Sequence, residues 1–306
     1  MADLQQNLAR RFLAVLDFGA PGVAGKWATS MFLRTRQRRA DSAAHAPAGA
    51  TIKRLDSPAG IADAYVWGKS GPIVFLVHGW GADTTAMCSL VRPLRRRGYR
   101  VVAFDAPAHG SNDGRQTTMT RFVAGVRDVL ERFDPESDVR ALVGHSLGGL
   151  AAVAALSAAR RAPDRLVLIS APSCLNEALR SFVSHWRLSR KVEDRIRAEL
   201  KRSHGVPIEH WDMRTLATPG RFPTLVVHDR NDSFVPSEEA RAVAAAVGGS
   251  VRTVITSGLG HARILADPEI TALVSSFVAD EVGKKISDEA SAGPPEVHSL
   301  VAGAQP

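Results

Sequence analysis

The sequence predicts an α/β fold: an eight-stranded, mostly parallel sheet with helices on both faces, interrupted once by a helical insertion. Three observations carry this. Short apolar runs alternate with longer segments of helical periodicity between residues 73 and 280, the pattern of right-handed strand–helix–strand crossovers. The run Val139–Val143 leads through Gly144-His145-Ser146-Leu147-Gly148-Gly149 into a small-residue helix pattern from Leu150 to Leu156. The rhythm then breaks over residues 172–221, between the sixth and seventh strands.

In chain order, Leu4, Leu8, Phe12 and Leu16 recur every four residues beside Arg10 and Arg11, the spacing of an amphipathic helix. Trp27, Met31 and Phe32 continue the apolar pattern, and Arg34, Arg36, Arg38 and Arg39 follow it. Residues 1–50 thus read as a helical arm with a linker. It either packs on the enzyme body or on a second subunit, or docks on an anionic membrane surface. Residues 51–57 and 62–68 form an antiparallel hairpin around Ser57-Pro58-Ala59-Gly60. Strands are expected at 73–78, 100–105, 138–143, 165–170, 224–229 and 250–256, and helices at 84–97, 117–132, 147–161, 237–247 and 268–280. Within 172–221, Leu175, Leu179, Phe182, Val183 and Trp186 share one helical face, and Val192, Ile196 and Leu200 a second. Gly205 and Pro207 end that stripe, and Trp211 and Leu216 mark a short third helix. Residues 281–306, with Gly293-Pro294-Pro295, read as a disordered tail. The core is then 51–171 with 222–280.

The chemistry-bearing residues lie where the predicted strands end. A G-x-S-x-G between strand and helix makes a sharp turn that exposes the Ser146 hydroxyl above the sheet. Ile73–Val77 followed by His78-Gly79-Trp80-Gly81 is a buried strand opening into a Gly-rich loop. The backbone N–H groups of Trp80 and Leu147 are the candidate oxyanion donors. Asp229 and Asp232 follow the strand 224–229. Asp232, deeper in the loop, is the candidate acid, whereas Asp229 shapes the turn. His261 follows the last strand in Ser257-Gly258-Leu259-Gly260-His261 and is the candidate base. His78, His109, His145 and His228 lie near the same sheet edge and read as loop or packing histidines. Trp80, Phe182, Trp186 and Trp211 are the candidate substrate-binding side chains.

Those stretches, with Phe104-Asp105-Ala106-Pro107-Ala108-His109-Gly110-Ser111 and Val235-Pro236, resemble the α/β-hydrolase superfamily, and within it the bacterial serine hydrolases with a helical cap. The likeness runs over about residues 70–280. It implies the order Ser146, Asp232, His261 for nucleophile, acid and base, and a cap formed by 172–221. Two positions depart from the pattern: Asp229 and Ala108 each stand where many relatives carry glycine. Serine at 146 argues against the dehalogenases and epoxide hydrolases, which use aspartate there. The implied activity is hydrolysis of carboxylic esters through an acyl-enzyme. The alternatives are a thioesterase or lysophospholipase acting on an anionic acyl substrate, and a non-catalytic ligand-binding protein on the same fold.

Composition agrees with a globular enzyme: 45% of the 306 residues are hydrophobic and 23% charged, enough for one large core plus an insertion. Cys88 and Cys174 make no disulfide framework, which suits a reducing, cytoplasmic compartment. Neither metal-binding nor P-loop motifs occur, so no metal and no cofactor are expected. No stretch reaches the ~18 apolar residues of a membrane span, and Asp17 interrupts the one apolar stretch a signal peptide could use. The net charge of +8 sits in the arm, with seven basic and three acidic residues, and in 172–221, with ten and six. No nucleic-acid fold accompanies that basicity. The expected partner is a small acyl substrate.

Overall fold

The computed structural model describes residues 18–35, 46–133, 138–159, 162–217, 220–279 and 298–299. The amphipathic repeat of residues 4–16, Arg36, Arg38, Arg39 and most of the 281–306 tail lie outside them.

The strands are β1 (Thr51–Arg54), β2 (Asp63–Trp67), β3 (Ile73–Val77), β4 (Arg100–Phe104), β5 (Val139–His145), β6 (Arg165–Ile169), β7 (Thr224–Asp229) and β8 (Val251–Thr256). They lie side by side in the order β1-β2-β4-β3-β5-β6-β7-β8. β2 is antiparallel to both β1 and β4, and every later pairing is parallel. In the tail, β9 (His298–Ser299) pairs in parallel with Val254–Ile255 of β8. β3 and β7 are buried at every residue, as strands covered on both faces must be, and the unbroken apolar run of β3 and the Leu225-Val226-Val227 centre of β7 show it. β1, at the sheet edge, is exposed throughout.

Two apolar layers sandwich the sheet. One is built on α3 (Met119–Arg132) and α4 (Leu147–Leu156), the other on α2 (Val91–Arg96) and α10 (Pro268–Val278). The Thr118 hydroxyl caps α3 by accepting the Arg121 N–H, and Asp267 caps α10 ahead of Pro268. The single helix expected at 84–97 is instead a 3-10 segment, Thr84–Leu90, followed by α2. Asp83 caps that segment by accepting the Thr85 N–H. Pro93 lies in the first turn of α2, where a missing N–H costs nothing.

After β6 the chain leaves the sheet. It forms α5 (Leu175–Trp186), α6 (Arg190–His204), a 3-10 turn (Ile208–His210) and α7 (Met213–Leu216) before returning to β7. Leu175 and Leu179 of α5, and Val192, Ile196 and Leu200 of α6, are buried and join the α3/α4 layer. This is the cap, located where the break in periodicity places it. Ser189 caps α6 at its start and Gly205, with φ +77°, ends it.

Helix α1 (Pro21–Phe32) lies against α6. Its buried stripe is Ala24, Gly25, Ala28 and Thr29, not the larger Trp27, Met31 and Phe32 of the apolar pattern. The small stripe lets the two helices approach closely: a Cβ at position 25 would overlap the Arg195 side chain. Among the described residues, no helix is long and apolar enough to cross a membrane.

Candidate active site

The turn between β5 and α4 sets Ser146 apart from its neighbours. Its φ of +54° and ψ of −132° lie in backbone space that costs a non-glycine residue about 1–3 kcal/mol. The surroundings enforce it. The Ser146 N–H donates to the Ile169 carbonyl at 2.9 Å. A Cβ at Gly148 would overlap the His78 carbonyl, and one at Gly144 would meet the Gly149 backbone. From 141 to 150, only Ser146 is not buried.

His261 lies in a one-turn helix, Gly260–Arg263, just after β8. The Ser146 hydroxyl donates to His261 Nε2 at 3.0 Å. His261 Nδ1 lies 2.7 Å from Asp232 Oδ2. An ionised carboxylate only accepts, so the ring proton sits on Nδ1 and leaves Nε2 open to the serine. The Asp232 side chain is fully buried, while that of His261 is 15% exposed. Burial alone would raise the Asp232 pKa. Hydrogen bonds from His228, His261 and the Val235 N–H, with the charge of His261, outweigh it and hold the carboxyl far below its usual range. The Phe234 and Val235 N–H groups both donate to Asp232 Oδ1, at 2.8 and 2.9 Å. Asp229 makes no such contact. It is buried beside Thr256 and the 257–260 loop.

The four other histidines fix these loops. The Ala106 N–H donates to His78 Nε2 at 2.9 Å, so Nδ1 carries the proton and donates to the Gly79 carbonyl at 2.8 Å. The Gly81 N–H donates to His109 Nε2 at 3.0 Å, and Nδ1 donates to the Pro107 carbonyl at 3.1 Å. Together these two rings tie the 78–81 loop to the loop after β4. Burial, reinforced by the neighbouring His78, pushes the His109 pKa down to about 3. His145 donates from Nε2 to the His261 carbonyl at 2.9 Å. Burial, and then His261, push His145 down to about 3 as well. His228 donates from Nε2 to the Val235 carbonyl at 3.0 Å. Ala108 has a φ of +62°. The Thr35 hydroxyl holds its carbonyl at 2.5 Å, so alanine takes up the glycine-type conformation at this position.

Leu147 is the first residue of α4, where a helix leaves its N–H groups without intrahelical partners. Gly79 lies so close to Ser146 that a Cβ there would fall 2.9 Å from the serine Cβ. The start of the 78–81 loop and the start of α4 therefore flank the serine from two sides. The Trp80 indole is anchored on three other segments. Its Nε1 donates to the Arg34 carbonyl at 3.0 Å, and its rings pack on His109 and Phe122.

The cap aromatics separate. Phe182 meets Phe32 edge-on at 5.3 Å and Trp186 at 6.3 Å. Trp211 is 5% exposed and packs between His204 and His210 within the cap. One residue that sequence reasoning passed over stands at the site. Phe234, 68% exposed, places its ring 5.3 Å from that of His261. Its carbonyl accepts the Ser181 hydroxyl of α5 at 3.3 Å. The signal was an aromatic in an otherwise polar loop two residues past Asp232. Phe32 reaches the cap only through tertiary packing, which no local pattern encodes. Among the described residues, no group of His, Cys, Asp and Glu is placed to share a metal ion.

Residues 74–273 match the model of the alpha/beta hydrolase family. The chain is similar to a serine hydrolase-like protein of Danio rerio, with 36% identity over 31% of this chain and 30% of that protein. It is 34% identical to the monoglyceride lipase of Rattus norvegicus over 31% of this chain and 33% of the lipase. The matched stretch thus spans about a third of either relative. Among solved structures, the mouse alpha/beta hydrolase domain-containing protein 10 superimposes with a TM-score of 0.61 at 18% identity, covering 77% of this chain and 99% of that one.

Proposed function

Because the chain belongs to the alpha/beta hydrolase family, we propose that it is a serine hydrolase cleaving carboxylic esters through an acyl-enzyme intermediate. The observation that carries the proposal is the unbroken line from Ser146 Oγ through His261 to the buried Asp232. In this reading the Ser146 oxygen attacks the ester carbonyl while His261 Nε2 takes its proton. The Leu147 and Trp80 N–H groups hold the oxygen that becomes negative, each worth about 2.7–4 kcal/mol in such a role. His261 returns the proton to the departing alkoxide, and the acyl group stays on Ser146. Water, deprotonated by the same nitrogen, then releases the acid. Asp232 keeps the His261 proton on Nδ1 and stabilises the imidazolium that forms twice in each cycle. Phe182 and Trp186 are the proposed wall of the acyl pocket on the cap side, with the Trp80 indole on the core side. Trp211, packed within the cap, shapes that wall from behind.

Charge on the cap gives less support to an anionic thioester or lysophospholipid. Arg197 meets Glu193 and Glu209, Arg180 meets Glu177, Arg202 meets Glu199 and Arg214 meets Asp212. Four of the cap's ten basic residues are therefore answered by its own carboxylates. The relative named as a monoglyceride lipase fits a neutral ester.

Treatment with a fluorophosphonate, followed by a panel of esters and thioesters of graded chain length, tests the proposal. Wild type should label and hydrolyse esters. Ser146→Ala should do neither while keeping its melting temperature, because a partly exposed hydroxyl contributes little packing. Equal labelling of both proteins would place the nucleophile elsewhere.

A further inference from the structure

The loops after β7 and β8 carry Asp232 and His261, and nothing in the strands themselves fixes the distance between loops that extend past a sheet edge. Two side chains span that gap. Asp229, the last residue of β7, is fully buried. Its Oδ1 accepts the Asn231 N–H at 2.9 Å. Its Oδ2 accepts the Thr256 hydroxyl at 2.7 Å and the Leu259 N–H at 3.0 Å. Asn231 Oδ1 accepts the Gly258 N–H at 2.9 Å and the Ser257 hydroxyl at 3.0 Å. One carboxylate and one amide thus hold donors at four consecutive positions from 256 to 259, ending two residues before His261. Asn231 itself adjoins Asp232.

We infer that Asp229 is a positioning residue, clamping the His261 loop to the Asp232 loop with the help of Asn231 and so setting the contact between His261 and Asp232. The inference rests on the proposed roles of those two residues. The choice of side chain follows from the geometry. A buried acceptor facing a hydroxyl and two N–H groups from different segments must satisfy three donors at once, which a carboxylate does with lone pairs to spare. Charged acceptors also make shorter and stronger bonds than neutral ones. Burial works against the charge, yet the bonds from Thr256, Gly260, Leu259 and Asn231 outweigh it and hold the carboxyl below its usual range.

Asp229→Asn exchanges one acceptor oxygen for a donor and so faces either the Asn231 N–H or the Leu259 N–H with the wrong polarity. Asn231→Ala removes the second half of the clamp at an exposed position, where folding is not at risk. The readouts are kcat, KM, the rate of fluorophosphonate labelling, the melting temperature and the far-downfield proton resonance of the His261 Nδ1–H, assigned by its loss in His261→Gln. Asp229→Asn should lower kcat and labelling rate together by about 10- to 100-fold, the scale on which sub-ångström misplacement acts. KM should hold within about twofold, as substrate contacts are untouched. The Nδ1–H resonance should weaken or move upfield. Asn231→Ala should move the same three quantities in the same directions by less. A purely structural role would lower the melting temperature of the variants and leave turnover and the resonance of the folded protein as in wild type. That result overturns the inference. Should Asp229→Asn fail to fold, Asn231→Ala decides alone. Wild type that is inactive on every ester would instead overturn the proposed reaction, while the resonance would still report on the clamp.

Discussion

The two surfaces that meet around Ser146 are held by different forces. On the core side, loop after loop is closed by hydrogen bonds of a buried side chain: His78 to Ala106 and Gly79, His109 to Gly81 and Pro107, His145 to the His261 carbonyl, Asp232 to Phe234 and Val235. The cap is held by apolar side chains from Leu175, Leu179, Val192, Ile196 and Leu200, and its surface is laced with partly exposed ion pairs. Hydrogen bonds between neutral groups contribute about 0.5–1.5 kcal/mol and those to a charged group about 1.5–3, and both weaken steeply away from ideal geometry. Exposed pairs are worth about 0–1 kcal/mol, and apolar contact has no preferred direction. The core side therefore sets the distances among Ser146, His261 and Asp232, whereas the contacts that hold the cap prescribe no single geometry. Each prediction below probes one side of that contrast.

The largest effect belongs to the core side. Asp232→Asn keeps the shape of the side chain but can donate to His261 Nδ1. That would move the ring proton to Nε2, where it blocks acceptance from Ser146. Turnover should fall by about 10⁴, the loss seen for this change in a triad acid on another fold. Melting behaviour near neutral pH should change far less. A loss of only a few-fold would mean that the buried carboxylate stabilises the loop without directing the proton.

An intermediate effect should appear in pH-dependent stability. His109 is pushed down to about 3 by burial and by His78, and His145 to about 3 by burial and by His261. In the unfolded chain both titrate near ~6.5. Between those values the unfolded state binds more protons than the folded one, so stability rises with pH and is fully present only above about 6.5. Carboxylates with depressed values, Asp229 and Asp232, lose their contribution only at more acidic pH. From about pH 7 down to pH 5, the denaturant midpoint should therefore drop because of the histidines. His109→Gln offers an acceptor to the Gly81 N–H without titrating, and should flatten that drop. An equally steep profile in the variant would remove His109 from the account.

The same contrast explains what the sequence disclosed. Core-side features are local in the chain. The all-apolar run of β3 and the apolar centre Leu225-Val226-Val227 of β7 announce strands buried on both faces. The glycines at 144 and 148 announce the turn at Ser146, and the position of Asp232 past the end of β7 separates it from Asp229. Long-range matters were hidden. Which face of α1 turns inward depends on α6, 170 residues away in places, and the small stripe of Ala24, Gly25 and Ala28 won over the larger aromatics. Trp211 shares the composition of a pocket residue, yet packs between two histidines of the cap. Pro93 has no N–H to give residue 89, so the 84–97 segment divides into a 3-10 turn and a helix with Pro93 in its first turn, a break that apolar periodicity does not register.

The smallest effect is expected from cap charge, and its size separates the two substrate classes. Arg190, Lys191 and Arg195 are exposed on α6. Arg197 is a different case, since it meets both Glu193 and Glu209, and removing it would leave two carboxylates facing each other. The informative variant therefore changes Arg190, Lys191 and Arg195 to glutamine and keeps Arg197. Glutamine also retains the aliphatic stem that Arg195 presents to Gly25. Exposed charges contribute about 0–1 kcal/mol each way, so the melting temperature should stay nearly constant. Hydrolysis of a neutral short-chain ester should be unchanged. For an ester hydrolase, the ratio of kcat/KM on acyl-CoA to that on the neutral ester should change by less than about twofold, at low and high salt alike, since encounter is not being steered. A protein built for anionic acyl substrates would behave otherwise. The three charges would raise encounter within the ~8 Å over which salt at physiological ionic strength leaves their field effective. The variant would then lose kcat/KM on acyl-CoA alone, and wild type would lose it as salt rises. That outcome would transfer the assignment to a thioesterase or lysophospholipase while leaving Ser146, His261 and Asp232 in their proposed roles.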